Sequence, residues 1–250
     1  MPKHPKPDIT AVLNVHNEGW MSYPSITSMN SSIKHAESIG LSVEILVIMD
    51  QADAITEEFV NYNCLPDTRI EHISEGDAAA ARNYAISKAH GDYIAFLDGD
   101  DLWCTNWLSA AYNEASKQDG LFIWHPEVNI YFGESDYLFL HRSADDVEFD
   151  PEFLIAQNYW TALSFGKRTI YKMFHYSAED LSKGFAFEDW QWNLETSMQG
   201  VLHKTVSKTT HFIRSKISGS RVKIHTSHNC MIKVPHSFLE RIKSIETFIS

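Results

Sequence analysis

The sequence predicts an α/β domain with a mostly parallel central sheet flanked by helices, followed by a smaller and less regular C-terminal part. Over the first half, short apolar runs bounded by turn residues alternate with helix-patterned stretches, the pattern of a parallel sheet covered on both faces. The 250 residues are 44% apolar and 22% charged, a soluble globular balance able to bury one full core. No internal repeat, low-complexity tract or linker breaks the chain, so residues 1–250 read as one domain.

Ile9 to Val15 is the first strand, and Ser22 to Ile39 is the helix that follows it. Val43 to Met49, Arg69 to Ile73 and Tyr93 to Leu97 are further strands, with helices over Ala54 to Tyr62 and Ala78 to Ala89 between them. Beyond Gly120 the pattern loosens. Leu121 to His125, Val128 to Phe132 and Tyr137 to His141 read as short strands, the last two forming a hairpin around Gly133-Glu134. Pro151 suits the first position of a helix. Phe187, Trp190, Leu194 and Met198 recur at helical spacing, which predicts a helix over Glu188 to Gln199 with Gly200 as its cap. Val201 to Ile213 reads as extended, and Pro235 to the end as helical.

Composition excludes several classes of function. Cys64, Cys104 and Cys230 stand far apart without a CxxC pair, which argues for a reducing compartment and against structural zinc. No apolar run reaches membrane-spanning length. Met1 to Asp8 is a polar Pro/Lys-rich tail lacking the apolar segment of a secretory signal. The expected location is cytoplasmic, with peripheral contact at the inner membrane face as the alternative. A net charge of −12 speaks against general nucleic-acid binding. Yet no Asp or Glu lies between Glu195 and Glu240, where Lys204, Lys208, Arg214, Lys216, Arg221, Lys223 and Lys233 all fall. Such a segment suits a phosphate-bearing ligand, an anionic acceptor or a charged membrane surface, or is simply a solvated face.

In parallel sheets, ligands bind beyond the carboxyl ends of the strands. There Val15 is followed by His16-Asn17-Glu18, Met49 by Asp50, and Leu97 by Asp98-Gly99-Asp100-Asp101. The carboxylates of Asp98 and Asp100, one residue apart, can reach a single cation, and Gly99 permits close backbone approach. Hard oxygen donors favour Mg²⁺ or Mn²⁺ over zinc. The same acidic turn could equally cap the next helix.

Upstream stand Gly76-Asp77-Ala78-Ala79-Ala80-Ala81-Arg82-Asn83-Tyr84-Ala85 and His90-Gly91-Asp92-Tyr93-Ile94. With the turn at Asp98, this block resembles the central segment of the family 2 glycosyltransferases, roughly G-x-x-x-A-R-N-x-G followed by G-[DE]-Y-[IL]-x-F-L-D-x-D-D. Val15-His16-Asn17-Glu18 is similar to the family's V-x-N-E opening, and Glu188-Asp189-Trp190 to its late E-D-W motif. A lone DxD is a weak signal; these motifs in order, over about residues 8 to 200, are a strong one.

The resemblance implies a GT-A fold, a Rossmann-like nucleotide-binding half over about 8–120 and an acceptor-binding half over about 121–250. It implies a nucleotide-sugar donor, commonly linked to UDP, a divalent cation, and a saccharide or lipid-linked saccharide as acceptor, in surface-polysaccharide or glycoconjugate synthesis. Carried over by position, Val15, Asn17 and Glu18 shape the nucleotide pocket, Asp50 contacts the base and Arg82 lies near the nucleotide or its diphosphate. Asp98 and Gly99 sit by the ribose and Asp98 and Asp100 hold the metal, with Asp101 as an indirect ligand. Asp189 is the catalytic base, beside Glu188 and Trp190. With one base and no evident extra nucleophile, transfer is expected to invert the anomeric centre; a retaining enzyme, a nucleotidyltransferase or a non-catalytic binding module in a larger assembly are the alternatives.

Departures from the family pattern also count. Its D-D-G-S-x-D after the second strand is here Met49-Asp50-Gln51-Ala52-Asp53, which lacks the Gly-Ser turn, and the Gly after A-R-N-x is Ala85. Phe212 to Ser220 is only loosely like the late basic stretch; it offers Arg214 or Lys216 to the diphosphate. His225 and His228 are candidate metal ligands, although a packed or hydrogen-bonded histidine is the commoner case. Trp103, Trp107, Trp124, Trp160, Trp190 and Trp192 flank the predicted site loops, as sugar platforms or as core.

Overall fold

The computed structural model describes residues 6–217 and 219–249. Met1 to Pro5 of the predicted tail, Ser218 of the basic stretch and Ser250 of the final helix lie outside them. Strands β1 (Ile9–Val15), β2 (Val43–Asp50), β3 (Arg69–Ile73) and β4 (Tyr93–Asp98) run parallel in the order β3-β2-β1-β4. Their near-continuous apolar sequences follow from burial on both faces. Ala11, Leu13 and Val15 of β1 pack on one face with Ile26, Met29 and Ile33 of α1 (Ser22–Ser38). Val12 joins Leu46, Ile48, Ile94 and Phe96 on the other face, beneath Ala81, Ala85 and Ile86 of α3 (Ala78–Lys88).

Two of the helices start where a short acidic side chain satisfies a free amide. Asp53 accepts from the Thr56 N–H to open α2 (Ala54–Asn63), and Asp77 accepts from Ala80 N–H to open α3, each at 2.8 Å. Gly91 lets the turn before β4 lie on β1: a Cβ there would stand 2.5 Å from the Thr10 nitrogen and 2.7 Å from the Ile9 carbonyl carbon.

Beyond β4 the sheet continues through β8 (Phe165–Lys167), β6 (Phe122–Gly133), β9 (Leu202–Ser215) and β5 (Leu102–Trp103), while β7 (Tyr137–Leu140) pairs with β6. Helix α4 (Trp107–Ala115) backs this half with Trp107 and Leu108 in the core. The two strands expected over 121–132 are one, carrying a register shift against β9 between Pro126 and Val128. Proline has no ladder N–H, and a bulge is where an interior strand can hold it. The hairpin of β6 and β7 forms as the pattern predicts, turning after Gly133 at φ 106°.

The helix expected at Pro151 is only a 3-10 turn over Glu152–Ile155, with Pro151 at its cap. Asp150 accepts from the Glu152 and Phe153 amides, and Leu154 anchors the turn under Tyr159 and Trp160. Helix α5 (Arg168–Met173), too short to show periodicity, follows β8. Helix α6 (Glu188–Met198) ends at Gln199, followed by Gly200 at φ 82°. Helices α7 (Arg221–Ser227) and α8 (His236–Ile249) complete the chain, α8 packing through Phe238 beside Leu194 of α6.

A buried polar chain crosses the C-terminal half. His125 meets His203 at 2.9 Å, His203 meets the Thr196 hydroxyl at 2.9 Å, and Asn129 links His141 to Thr161 at 3.1 Å on each side. Burial pushes these imidazoles down, His141 to about 4 and His203 to about 3, so they stay neutral and serve as hydrogen-bonding core. The three cysteines are free, and among the described residues no helix is long and apolar enough to cross a membrane.

Candidate active site

The carboxyl ends of β1, β2 and β4 open into a cleft of about 500 Å³, closed on its far side by β6, β7, α6 and α7. A larger hollow, about 1090 Å³, lies at the amino ends of the strands. No predicted site residue reaches it, and its Arg69 is tied to Glu44 at 2.5 Å. The chemistry therefore gathers in the smaller cleft.

Val15 lines the cleft while 2% exposed. After it, the His16 ring is held by the Asp50 carbonyl at 2.5 Å, and Asn17 turns to His16 Nε2 at 3.1 Å. Glu18 accepts from the His16 amide at 2.6 Å; burial pushes its carboxyl up despite that bond and nearby Lys216, and Asp100 adds to the rise. Gly99 lets the Asp98 turn fold onto β1, since a Cβ there would stand 2.8 Å from Val15 Cγ1 and 3.0 Å from the Asn14 carbonyl. Glycine is needed here for protein packing.

Asp50 also lines the cleft, but its carboxylate holds a loop. It accepts from the amides of Glu75 at 2.8 Å, Gly76 at 2.9 Å and Asp77 at 3.2 Å. That occupies three of about four acceptor positions of a carboxylate. Arg82, 2% exposed, donates to Glu188 Oε1 at 2.6 Å and to both oxygens of Asp98 at 3.0 Å. Its guanidinium ties the end of β4 to the start of α6. Burial pushes Glu188 up, but Arg82 and Arg221 outweigh it and hold the carboxyl below its usual range.

Asp98 behaves oppositely: burial raises it further than Arg82 lowers it, and Asp100 adds to the rise. Asp101, 6% exposed, accepts from the Arg214 amide at 2.7 Å and is pushed well up by burial, Asp100 and Asp98. Asp100 meets the Lys216 ammonium at 2.6 Å, while the Arg214 guanidinium stacks over Phe132 and donates to the Asp100 carbonyl.

Asp189 also lines the cleft, in the first turn of α6, a helix that begins directly after Phe187, itself in a left-handed conformation at φ 64°. A bulky residue in that region is strained, and such strain gathers at functional sites. Burial and Glu188 raise the Asp189 carboxyl to about 7, with Arg82 opposing. Asn158 reaches its Oδ2 at 3.4 Å. A carboxyl poised near neutrality can accept a proton from a hydroxyl.

Several predicted residues are engaged elsewhere. His225 lines the cleft but pairs with Glu179 at 2.9 Å, and His228 bonds the Ile224 carbonyl at 2.9 Å. Trp190 donates to the Leu154 carbonyl at 2.6 Å, and neither it nor the other five tryptophans named above lines the cleft. Unforeseen residues of the cleft include Tyr131, Tyr137, Thr161, Leu163, Arg221 and Lys223. Only the alternation of Asn129, Tyr131, Tyr137 and Phe139 on the predicted hairpin and, for Arg221 and Lys223, the basic segment they belong to hinted at any of them.

Among the described residues no group of three acidic, His or Cys side chains forms a preassembled metal cage. Magnesium-type sites commonly use one or two carboxylates completed by substrate phosphates. Asp98 and Asp100 are the two carboxylates that would supply that donor set. Their mutual repulsion, eased at Asp100 by a lysine ammonium, is the electrostatics a divalent cation would relieve. The residues fit the ion.

The Glycosyl transferase family 2 model matches residues 10–177. Over 100 residues the chain is 39% identical to the UDP-Glc:alpha-D-GlcNAc-diphosphoundecaprenol beta-1,3-glucosyltransferase WfaP of Escherichia coli, covering 39% of this chain and 38% of that protein. Its fold matches GalNAc-T7, solved with UDP, GalNAc and Mn²⁺, at TM-score 0.61 and 16% identity over 98% of this chain and 58% of that one. It also matches S. aureus TarS 1-349 in complex with UDP-GlcNAc, at TM-score 0.55 and 15% identity over 86% and 60%. The expected GT-A fold is borne out. The chain's matches span 18% to 38% of the length of three curated relatives.

Proposed function

The chain belongs to glycosyl transferase family 2, and from that premise we propose that it moves a sugar from a UDP-sugar onto an acceptor hydroxyl with inversion. The observation that carries this reading is that Asp98, Asp100 and Asp189 all line one cleft, with Asp98 tied through Arg82 to Glu188 at the start of α6. The nucleotide-binding half is assigned to about 8–120 and the acceptor-binding half to about 121–250. The WfaP relative, whose name gives a diphosphoundecaprenol-linked acceptor, supports a lipid-linked saccharide acceptor.

Asp98 and Asp100 would hold a Mn²⁺ or Mg²⁺, which supplies neutralisation of the charge gathering on the departing diphosphate. Lys216, paired with Asp100 and also lining the cleft, would add a positive charge toward the phosphates. Asp189 takes the proton from the attacking acceptor hydroxyl as the bond to the anomeric carbon forms and the bond to the diphosphate oxygen breaks. One displacement of this kind inverts the centre. Asp50 acts by fixing the 75–77 loop that leads into α3, whose Ala78 and Ala81 line the cleft, and Arg82 by locking Asp98 in position.

UDP with Mn²⁺ is expected to raise the melting temperature by about 5–10 °C at a hundredfold excess over Kd, since binding then adds about 2.7 kcal/mol. A scan with UDP, UDP-sugars and other nucleotides, with and without metal, checks it. Silence across every nucleotide removes the donor assignment. NMR of the product's anomeric proton reads the stereochemistry, and retention removes Asp189 from the role of base.

A further inference from the structure

One feature of the cleft is used by neither the donor nor the base. Tyr131 of β6 and Tyr137 of β7 are cross-strand partners in the hairpin register. Their rings stack with centroids 4.2 Å apart and planes 9° apart, and both line the cleft. Aromatic pairs commonly stabilise a hairpin. Packing alone, however, does not call for Tyr137 to stand 51% exposed at the mouth of an acidic cleft.

Three observations assign it a ligand. Tyr131 lies within the field of both Asp101 and Asp189, and burial, Tyr137 and those two carboxylates hold its hydroxyl protonated. Both rings line the same cleft as the proposed base, Asp189. The hairpin tip is anchored across the cleft mouth, because Glu134 forms an ion pair with Lys223 of α7. The third large aromatic side chain lining the cleft, Phe187, is already packed against Trp190 and His225. Tyr137 thus presents a flat, rigid, half-open ring whose orientation is set before any ligand arrives. Such preorganisation lowers the entropic cost of binding.

We propose that Tyr137, backed by Tyr131, is the acceptor platform, stacking on the apolar C–H face of a pyranose and turning one of its hydroxyls toward Asp189. This rests on the transfer reading above for the role of Asp189, but the platform itself needs only a sugar. An aromatic face suits this ligand because a pyranose offers apolar C–H groups on its faces and hydroxyls around its rim. The hydroxyls then remain free for Tyr131 and the acids.

Methyl glucoside, methyl galactoside and methyl N-acetylglucosaminide are the probes, added to the full chain with UDP and Mg²⁺ and read by saturation-transfer NMR. At least one is expected to show saturation on the C–H protons of one ring face, in wild type and in Tyr137→Phe. In Tyr137→Ala that signal falls at least fivefold, while calorimetric UDP affinity stays within twofold of wild type. Equal saturation in Tyr137→Ala, or no saturation of any probe in wild type, overturns the platform. A parallel loss of UDP affinity in Tyr137→Ala also overturns it, because the ring would then serve the donor site or the fold. If wild type holds a pyranoside through Tyr137 but never binds UDP, the platform stands and the UDP-sugar reading falls.

Discussion

Asp189→Asn is expected to lower the transfer rate by about 10³-fold while leaving UDP affinity nearly unchanged, in the range general-base removal produces. The carboxyl is poised for the task because burial, then Glu188, raise it to about 7 against the pull of Arg82. The helix N-terminus also favours the ionised form, but desolvation wins. A base must be deprotonated to act, so kcat/KM should climb about tenfold per pH unit below pH 7 and level off above it. The asparagine variant should lack that limb.

Stability should move in the other direction. The folded carboxyl titrates above its unfolded value, so the folded state holds an extra proton between the unfolded and folded pKa values and bears a disfavoured buried charge above about pH 7. Asparagine carries no charge, and its carbonyl can still accept from Asn158. Its melting temperature at pH 8 should therefore exceed that of wild type. Transfer above a tenth of the wild-type rate, or an intact pH limb, would take Asp189 out of the mechanism.

Arg82→Met should be the most damaging single change to the fold. The guanidinium, 2% exposed, satisfies Glu188 and both oxygens of Asp98 while lying 5.7 Å above the Tyr176 ring. Its removal leaves the two carboxylates without the guanidinium that bridges them, and breaking a buried pair in this way costs about 3–5 kcal/mol. At this chain length that is a fall of about 6–20 °C in melting temperature. Lysine should not rescue the loss, because one ammonium cannot reproduce the forked contact. Adding Glu188→Gln should recover part of it. Unchanged melting with lost UDP affinity would instead make Arg82 a diphosphate ligand, the role the family resemblance implies.

The parallel half of the fold was legible because its signals are local. Apolar runs at β1, β2 and β4 fill both faces of the sheet, Asp53 and Asp77 sit where helices must begin, and the acidic turn after Leu97 lands at the rim where ligands gather. The C-terminal half was harder to read. Strand β8 has three residues and α5 six, too few for a period to show, and a bulge at Pro126 split one strand into two in the sequence pattern.

Sequence by itself therefore determined the alternation of elements, the family, and which acids stand at strand ends. Tertiary structure alone decided what each side chain does with its hydrogen bonds. Asp50 is committed to amides 25 to 27 positions away, and Arg82 to a carboxylate 106 positions on. The six candidate tryptophans went to the core or to backbone carbonyls, while a tyrosine pair from the predicted hairpin took the cleft. The physical reason is range. Propensity and periodicity act within a few turns of chain, whereas desolvation, charge pairing and stacking depend on neighbours that only the folded sheet brings together.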